Sequence, residues 1–108
     1  MHVTIILCTY NGEKFLLEQL KSIEEQEYGD WSLVASDDGS KDQTMTILSN
    51  FQERHGHKRV VIIRGPGQGY AANFTNTCAQ AKNTSDAFAF CDQDDIWHPK
   101  KLSKATQR

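Results

Sequence analysis

The chain has no run approaching the roughly 20 consecutive apolar residues that span a bilayer. Met1 to Cys8 lacks the basic head of a signal peptide and passes straight into a strand pattern. Cysteine is scarce: Cys8, Cys78 and Cys91 are odd in number, far apart and without C-x-x-C spacing. That pattern argues against a disulfide framework or a zinc site and for a reducing, cytoplasmic setting. Each cysteine sits in an apolar stretch, where a free thiol packs as a small hydrophobe. Excess charge of one sign is also missing. The formal net charge is −2 over 108 residues, which provides neither a groove for nucleic acid nor a polybasic membrane patch. There is no internal repeat, low-complexity segment or interior linker. What remains, 38% hydrophobic and 24% charged, is an ordinary globular composition. Residues 1–108 are expected to form a single domain burying about two-thirds of the unfolded surface.

Two periodicities alternate along this domain. Val3 to Cys8, Trp31 to Ala35, Val60 to Ile63 and Ala87 to Cys91 are short apolar, β-branched or aromatic runs that read as strands. The last is continuously apolar, which predicts cover on both faces. Leu16, Leu20 and Ile23 recur at helical spacing, predicting a helix that ends near Tyr28-Gly29. Ser40-Lys41-Asp42-Gln43 has the S-x-x-Q form of a capping box; the helix it opens carries Ile47, Leu48 and Phe51 inward and frays at His55-Gly56-His57. Ala71, Phe74 or Thr75, and Cys78 form the stripe of a third helix, small enough to sit close against a sheet. A further helix begins after Pro99. This alternation predicts an α/β, Rossmann-like fold: a mainly parallel sheet of about four strands with right-handed crossovers and helices on both faces.

In such sheets ligands bind beyond the carboxyl ends of the strands. The polar, glycine-rich and acidic clusters of this chain are Thr9-Tyr10-Asn11, Asp37-Asp38-Gly39-Ser40, Gly65 to Gly69, and Asp92-Gln93-Asp94-Asp95. All four directly follow a predicted strand, so all four belong on one edge. The other edge has ordinary turn chemistry.

The acidic run is the sharpest signal. Three carboxylates within four residues repel one another without a compensating charge. Magnesium or manganese is the usual compensation, taking one or two protein carboxylates and filling its other positions with water and phosphate oxygens. An extended segment would let Asp92 and Asp94 point the same way while Gln93 points away. The plainer alternative is a solvated acidic turn capping the next helix. Asp37-Asp38-Gly39-Ser40 reads as a turn and helix cap, with Ser40 and Asp42 the capping residues, or as a ligand contact through one aspartate. A carboxylate at a strand end can accept the imide N–H of uracil or thymine, and Asp38 is favoured over Asp37 for this role. Tyr10 offers an aromatic face to a stacked pyrimidine, or simple packing. Gly67-x-Gly69 lets the backbone approach a diphosphate at a helix N-terminus. It is not a dinucleotide fingerprint, because no third glycine follows and it stands after the third strand rather than the first. His98 reads as a loop residue rather than a metal ligand, and Trp97 as the anchor of the acidic loop.

Together I-I-L-C-T-Y-N-G-E-K-F-L, S-D-D-G-S-K-D-Q-T, G-x-G-x-x-x-N and F-C-D-Q-D-D-I-W-H-P-K-K-L resemble the N-terminal half of GT-A-fold glycosyltransferases of family 2. The last motif is similar to bacterial rhamnosyltransferase-type members, of the kind that build polysaccharides. The resemblance implies that Thr9, Tyr10 and Asn11 surround the base and that Asp38 contacts the pyrimidine. Asp92 and Asp94 match the family's D-x-D, with Asp92 towards the ribose and Asp94 on a Mg²⁺ or Mn²⁺ ion at the diphosphate. Asn73 matches the asparagine that opens the third helix, and Gly69 belongs to the phosphate loop. The family often carries arginine or lysine just before that asparagine. Here Ala71-Ala72 stand instead, which shifts diphosphate charge onto the metal.

The implied reaction is transfer of a sugar from a UDP- or dTDP-sugar to an acceptor hydroxyl, with inversion. The acceptor would be a glycan or a lipid-linked glycan, in a longer protein at the inner face of the membrane. By the same resemblance the catalytic base comes from a segment after the D-x-D, beyond Arg108. These residues are then expected to bind donor without turnover and to self-associate through exposed apolar surface. The alternatives are a non-catalytic nucleotide-binding domain and a sugar nucleotidyltransferase, although the latter places its glycine loop after the first strand.

Overall fold

The computed structural model describes residues 2–67, 69, 77, 86–91 and 95–106. Its strands are β1 (Val3–Thr9), β2 (Trp31–Asp37), β3 (Val60–Arg64) and β4 (Ala87–Cys91), and its helices α1 (Glu13–Glu24), α2 (Thr44–His55) and α3 (Lys101–Thr106). The strands form one sheet in the order β3-β2-β1-β4. Every pairing is parallel, running from Val3↔Trp31 to Thr9↔Asp37, from Leu33↔Val60 to Asp37↔Arg64, and from Val3↔Ala87 to Leu7↔Cys91. The expected Rossmann-like α/β sheet is therefore present. Strand order advances from β1 outwards to β3 and then returns to the other side of β1. The topological switch point thus lies between β1 and β4, and the ligand crevice of such folds opens there.

Strand parity divides the core. Val3, Ile5 and Leu7 face the larger cluster, which Leu16, Leu20 and Ile23 of α1 and Leu48 and Phe51 of α2 complete. Ile6 and Cys8 face the other way, with Val34 and the half-buried Ile63. A central strand clothed on both sides needs apolar residues at every position, which is why β1 reads V-T-I-I-L-C-T and is buried throughout. Burying a leucine such as Leu16 or Leu48, at 1% and 0% exposure, contributes about 1.5–3 kcal/mol each. Cys8 and Cys91 are buried free thiols.

Three expectations are refined by the structure, and a fourth lies outside the described residues. The first helix stops at Glu24, short of Tyr28-Gly29. Beyond it the buried Gln26 donates through Nε2 to the carbonyl of His98 at 2.8 Å and accepts the Leu102 N–H at 3.0 Å. These bonds tie the following turn to α3. The S-x-x-Q box does not form, because α2 opens at Thr44 and Gln43 supplies no side-chain cap. Of the two capping residues expected, Asp42 does cap it, its Oδ1 accepting both the N–H and the hydroxyl of Thr44 at 2.9 and 2.5 Å, while Ser40 turns to the β1–α1 loop. Third, β4 is the outer strand of the sheet among the described residues: Ala89 and Cys91 join the larger core, whereas Phe88 and Phe90 remain 41% and 49% exposed. Finally, the stripe assigned to a third helix lies outside the described residues, except that nearby Thr77 is buried, its Oγ1 3.7 Å from Cys8 Sγ on the second face. No helix of the described residues is long and apolar enough to cross a membrane.

Candidate functional site

At the carboxyl edge of the sheet, parity separates the two adjacent aspartates. Asp37 pairs in register with Thr9 and shares its face of the sheet, while Asp38 points to the opposite one. Asp37 is buried and wholly engaged. Its Oδ1 accepts the hydroxyls of Thr9 and Ser40 at 2.9 and 2.5 Å, and its Oδ2 accepts the N–H groups of Gly39 and Ser40 at 3.2 and 2.8 Å. Such a carboxylate organises a loop; it has little acceptor capacity left for a ligand.

Asp38 is held differently. Its Oδ1 accepts the Gly67 N–H at 2.6 Å and its Oδ2 the Gly69 N–H at 3.0 Å. The two amides converge because both glycines have positive φ, 74° and 99°, a conformation that costs a residue with Cβ. Among the described residues each oxygen accepts one bond, which leaves a further lone pair on each, so the carboxylate is oriented without being filled. The Gly69 amide, expected at a diphosphate, is here directed to Asp38.

The β1–α1 loop carries Tyr10, which is 51% exposed. Beside it Asn11 takes φ 48°, which asparagine tolerates better than most residues with a Cβ. The Asn11 N–H donates to Ser40 Oγ at 2.7 Å, and its Oδ1 accepts the Lys41 N–H at 2.8 Å. At the base of the same loop, Gly12 N–H donates to Thr44 Oγ1 and Glu13 N–H to Asp42 Oδ2. Burial alone would raise the Asp42 carboxyl, but hydrogen bonds from Thr44 and Glu13 outweigh it and hold the group below the ordinary carboxylate value. Arg64, at the end of β3, lies level with Asp37. It closes a pocket of about 240 Å³ with Asp37, Gly39, Ser40 and Met45.

Across the switch point, β4 ends at Cys91, level with Leu7, and the acidic run follows directly. Asp92, Asp94 and Asn73 lie outside the described residues. The flanks of the acidic run are fixed. Cys91 is buried and its Sγ accepts from Gln19 Nε2 at 3.2 Å. Trp97 is 4% exposed in the larger core, donating its N–H to Ser22 Oγ at 3.1 Å and its indole N–H to Asp95 Oδ2 at 3.2 Å. Trp97 is thus the anchor the sequence suggested. His98 is exposed, and its Nδ1 accepts the Lys100 N–H at 3.1 Å, a turn contact. With the neighbouring thiol turned inward, the donors offered by Asp92 and Asp94 are carboxylate oxygens alone. That hard set fits magnesium or manganese and does not select a soft metal.

The structure thus brings Thr9, Tyr10, Asn11, Asp38 and Gly69 to one edge. Sequence reasoning missed the role of Asp37 and Ser40 in building it. The signal was available in strand parity, which sets Asp37 beside Thr9 and not beside Asp38.

A parallel α/β sheet with its polar loops at the carboxyl edge defines the Rossmann-like fold class. The chain belongs to glycosyl transferase family 2, whose sequence model matches residues 4–108. Among curated relatives, the dTDP-rhamnosyl transferase RfbG of Shigella flexneri is 36% identical over 103 residues, covering 92% of this chain and 35% of the relative. The UDP-Glc:alpha-D-GlcNAc-diphosphoundecaprenol beta-1,3-glucosyltransferase WfgD of Escherichia coli is 34% identical over 101 residues, covering 93% and 38%. Among solved structures, S. aureus TarS in complex with UDP-GlcNAc superposes with a TM-score of 0.79 at 26% identity, over 97% of this chain and 30% of that one. The mannosyltransferase PcManGT from Pyrobaculum calidifontis, in complex with GDP-Man and Mn²⁺, gives 0.84 at 25% identity over 96% and 31%. These shares mean that the chain spans about a third of the length of the proteins it matches.

Proposed function

We propose that this chain is a single nucleotide-diphospho-sugar-binding domain, the donor half of an inverting transferase that uses a UDP- or dTDP-sugar. One observation supports the reading: the Thr9-Tyr10-Asn11 loop ends β1 at the switch point, the Asp38 loop ends the adjacent β2, and the D-x-D run follows β4 directly in sequence. Tyr10 stacks on the pyrimidine, and Thr9 and Asn11 hold the loop that presents it. Asp38, already oriented by the Gly67 and Gly69 amides, accepts the imide N–H through a remaining lone pair. Asp92 contacts the ribose, and Gly69 and Asn73 border the phosphates. Asp94, with Asp92 beside it, would hold Mg²⁺ or Mn²⁺, which offsets the charge that collects on the departing nucleoside diphosphate.

Inverting displacement also needs a carboxylate to take the proton of the acceptor hydroxyl. Of the carboxylates near the edge, Asp37 is fully engaged in the loop, Asp38 is reserved for the nucleobase, Asp92 and Asp94 for the ribose and metal, and Asp95 accepts the Trp97 indole N–H. The 108 residues accordingly bind donor without transferring it to a glycan or lipid-linked acceptor. Cytoplasmic nucleotide sugars are the donor pool that suits buried free thiols. Calorimetry of UDP binding, with Mn²⁺ and with chelator, tests the reading. UDP affinity that depends on Mn²⁺ is expected, and equal affinity in both conditions would remove the metal from the site.

A further inference from the structure

Two side chains at the carboxyl edge have no part in the donor contacts above, yet the loop carrying Tyr10 hangs from them. Thr9, before Tyr10, donates its hydroxyl to Asp37 Oδ1 at 2.9 Å. Asn11, after it, donates its N–H to Ser40 Oγ at 2.7 Å. The Ser40 hydroxyl donates in turn to the same Asp37 oxygen at 2.5 Å, so both neighbours of Tyr10 converge on one carboxylate of β2. A second tether, Lys41 N–H to Asn11 Oδ1 at 2.8 Å, holds Asn11 in its left-handed conformation. Tyr10 itself is 51% exposed. An exposed ring held at both ends of its loop loses less freedom when a flat ligand stacks on it, and that loss is a main cost of binding.

We propose that Asp37 and Ser40 are positioning residues for the base: they contact no part of the donor and set its affinity by fixing the Tyr10 ring as a preformed platform. The inference rests on the stacking role given to Tyr10 above. Ser40 is the better probe, because its hydroxyl both donates and accepts and its loss breaks the link at one point. Ser40→Ala should weaken UDP binding about three- to tenfold, the range for one net hydrogen bond. Ser40→Thr keeps the hydroxyl and should restore affinity.

A double-mutant cycle with Tyr10→Ala separates positioning from general loosening of the edge. UDP affinity in Mn²⁺ is measured by calorimetry for wild type, Ser40→Ala, Tyr10→Ala and the double variant, with the Tyr10 ring resonances followed by NMR. The expected result is a loss for Ser40→Ala in the wild-type background, none in the Tyr10→Ala background, and a shifted Tyr10 ring signal in Ser40→Ala alone. Equal loss in both backgrounds, or no loss in either, overturns the inference and leaves Tyr10 as a stacking residue. If Tyr10→Ala itself leaves UDP affinity unchanged, the stacking role falls and the inference falls with it. Should Ser40→Ala fail to fold, Asp37→Asn serves in its place, replacing one of the two carboxylate oxygens that hold the loop at unchanged size; Asn11→Gly then tests the second tether alone. Glycine accepts the positive φ while removing the Lys41 tether, and the same cycle applies.

Discussion

Replacing Asp38 by alanine removes the carboxylate proposed to read the base and releases the two glycine amides that orient it. The two effects separate by choice of ligand. UDP carries an imide N–H that a carboxylate accepts, whereas CDP presents a ring nitrogen lone pair in its place and repels the same oxygen. Asp38 is 7% exposed, so little water is at hand to repair a mismatch. A hydrogen bond to a charged group in such a site contributes about 1.5–3 kcal/mol, which predicts that wild type prefers UDP to CDP by about tenfold to a hundredfold. Asp38→Ala should abolish most of that preference. It should also lower affinity for both nucleotides by a smaller common factor, because the Gly67 and Gly69 amides lose their acceptor. Both glycines are exposed and water replaces the lost bonds, so the cost to folding should be about 1 kcal/mol, or roughly 4–8 °C in melting temperature. Competition calorimetry with UDP, dTDP and CDP gives the ratios directly. A wild-type chain that binds CDP as well as UDP, or an alanine variant that keeps the wild-type ratio, would refute the role of Asp38 in base choice.

Asp94→Asn should remove most of the Mn²⁺ dependence of UDP binding while Asp92→Asn weakens binding less; titrating Mn²⁺ against fixed UDP compares them, and equal effects would contradict the division of roles. At the opposite end of the loop cluster, Asp42 is held below the ordinary carboxylate value. It therefore contributes stability that is present above the unfolded value near pH 3.9 and lost as pH falls through the lower folded value. Asp42→Ala should cost about 0.5–2 kcal/mol as a lost helix cap, a deficit seen in denaturation at pH 7 that shrinks towards pH 2. Incubated with nucleotide sugars and simple acceptors, the 108 residues should yield no glycosylated product by mass spectrometry beyond slow donor hydrolysis. Product formed at enzyme-like rates would mean a base lies among them, with Asp95 the first to replace.

The strands were legible because each is a short apolar run closed by a polar cluster, and a central strand such as β1 must be apolar at every position. The common edge of the candidate site followed from the same fact, since each cluster directly follows a strand. What the pattern concealed was competition among neighbours. Ser40, Asp42 and Thr44 are all good caps in isolation, and local rules alone give no reason to prefer one. The choice is made by Asp37, a residue outside the helix. It recruits Ser40 to the β1–α1 loop and leaves Asp42 to cap α2. The edge aromatics misled for a related reason: Phe88 and Phe90 belong by hydrophobicity to a strand covered on both faces, yet they stand on the outer strand of this sheet and remain exposed. Their exposure predicts where further protein surface would add contact, as does the exposed Ile96 just after the acidic run. In both instances a residue's surroundings are decided by a partner that only the tertiary arrangement supplies or withholds. The same reasoning favours Asp38 over Asp37 for the donor: one aspartate is consumed in building the site, and the other is held with acceptor capacity to spare.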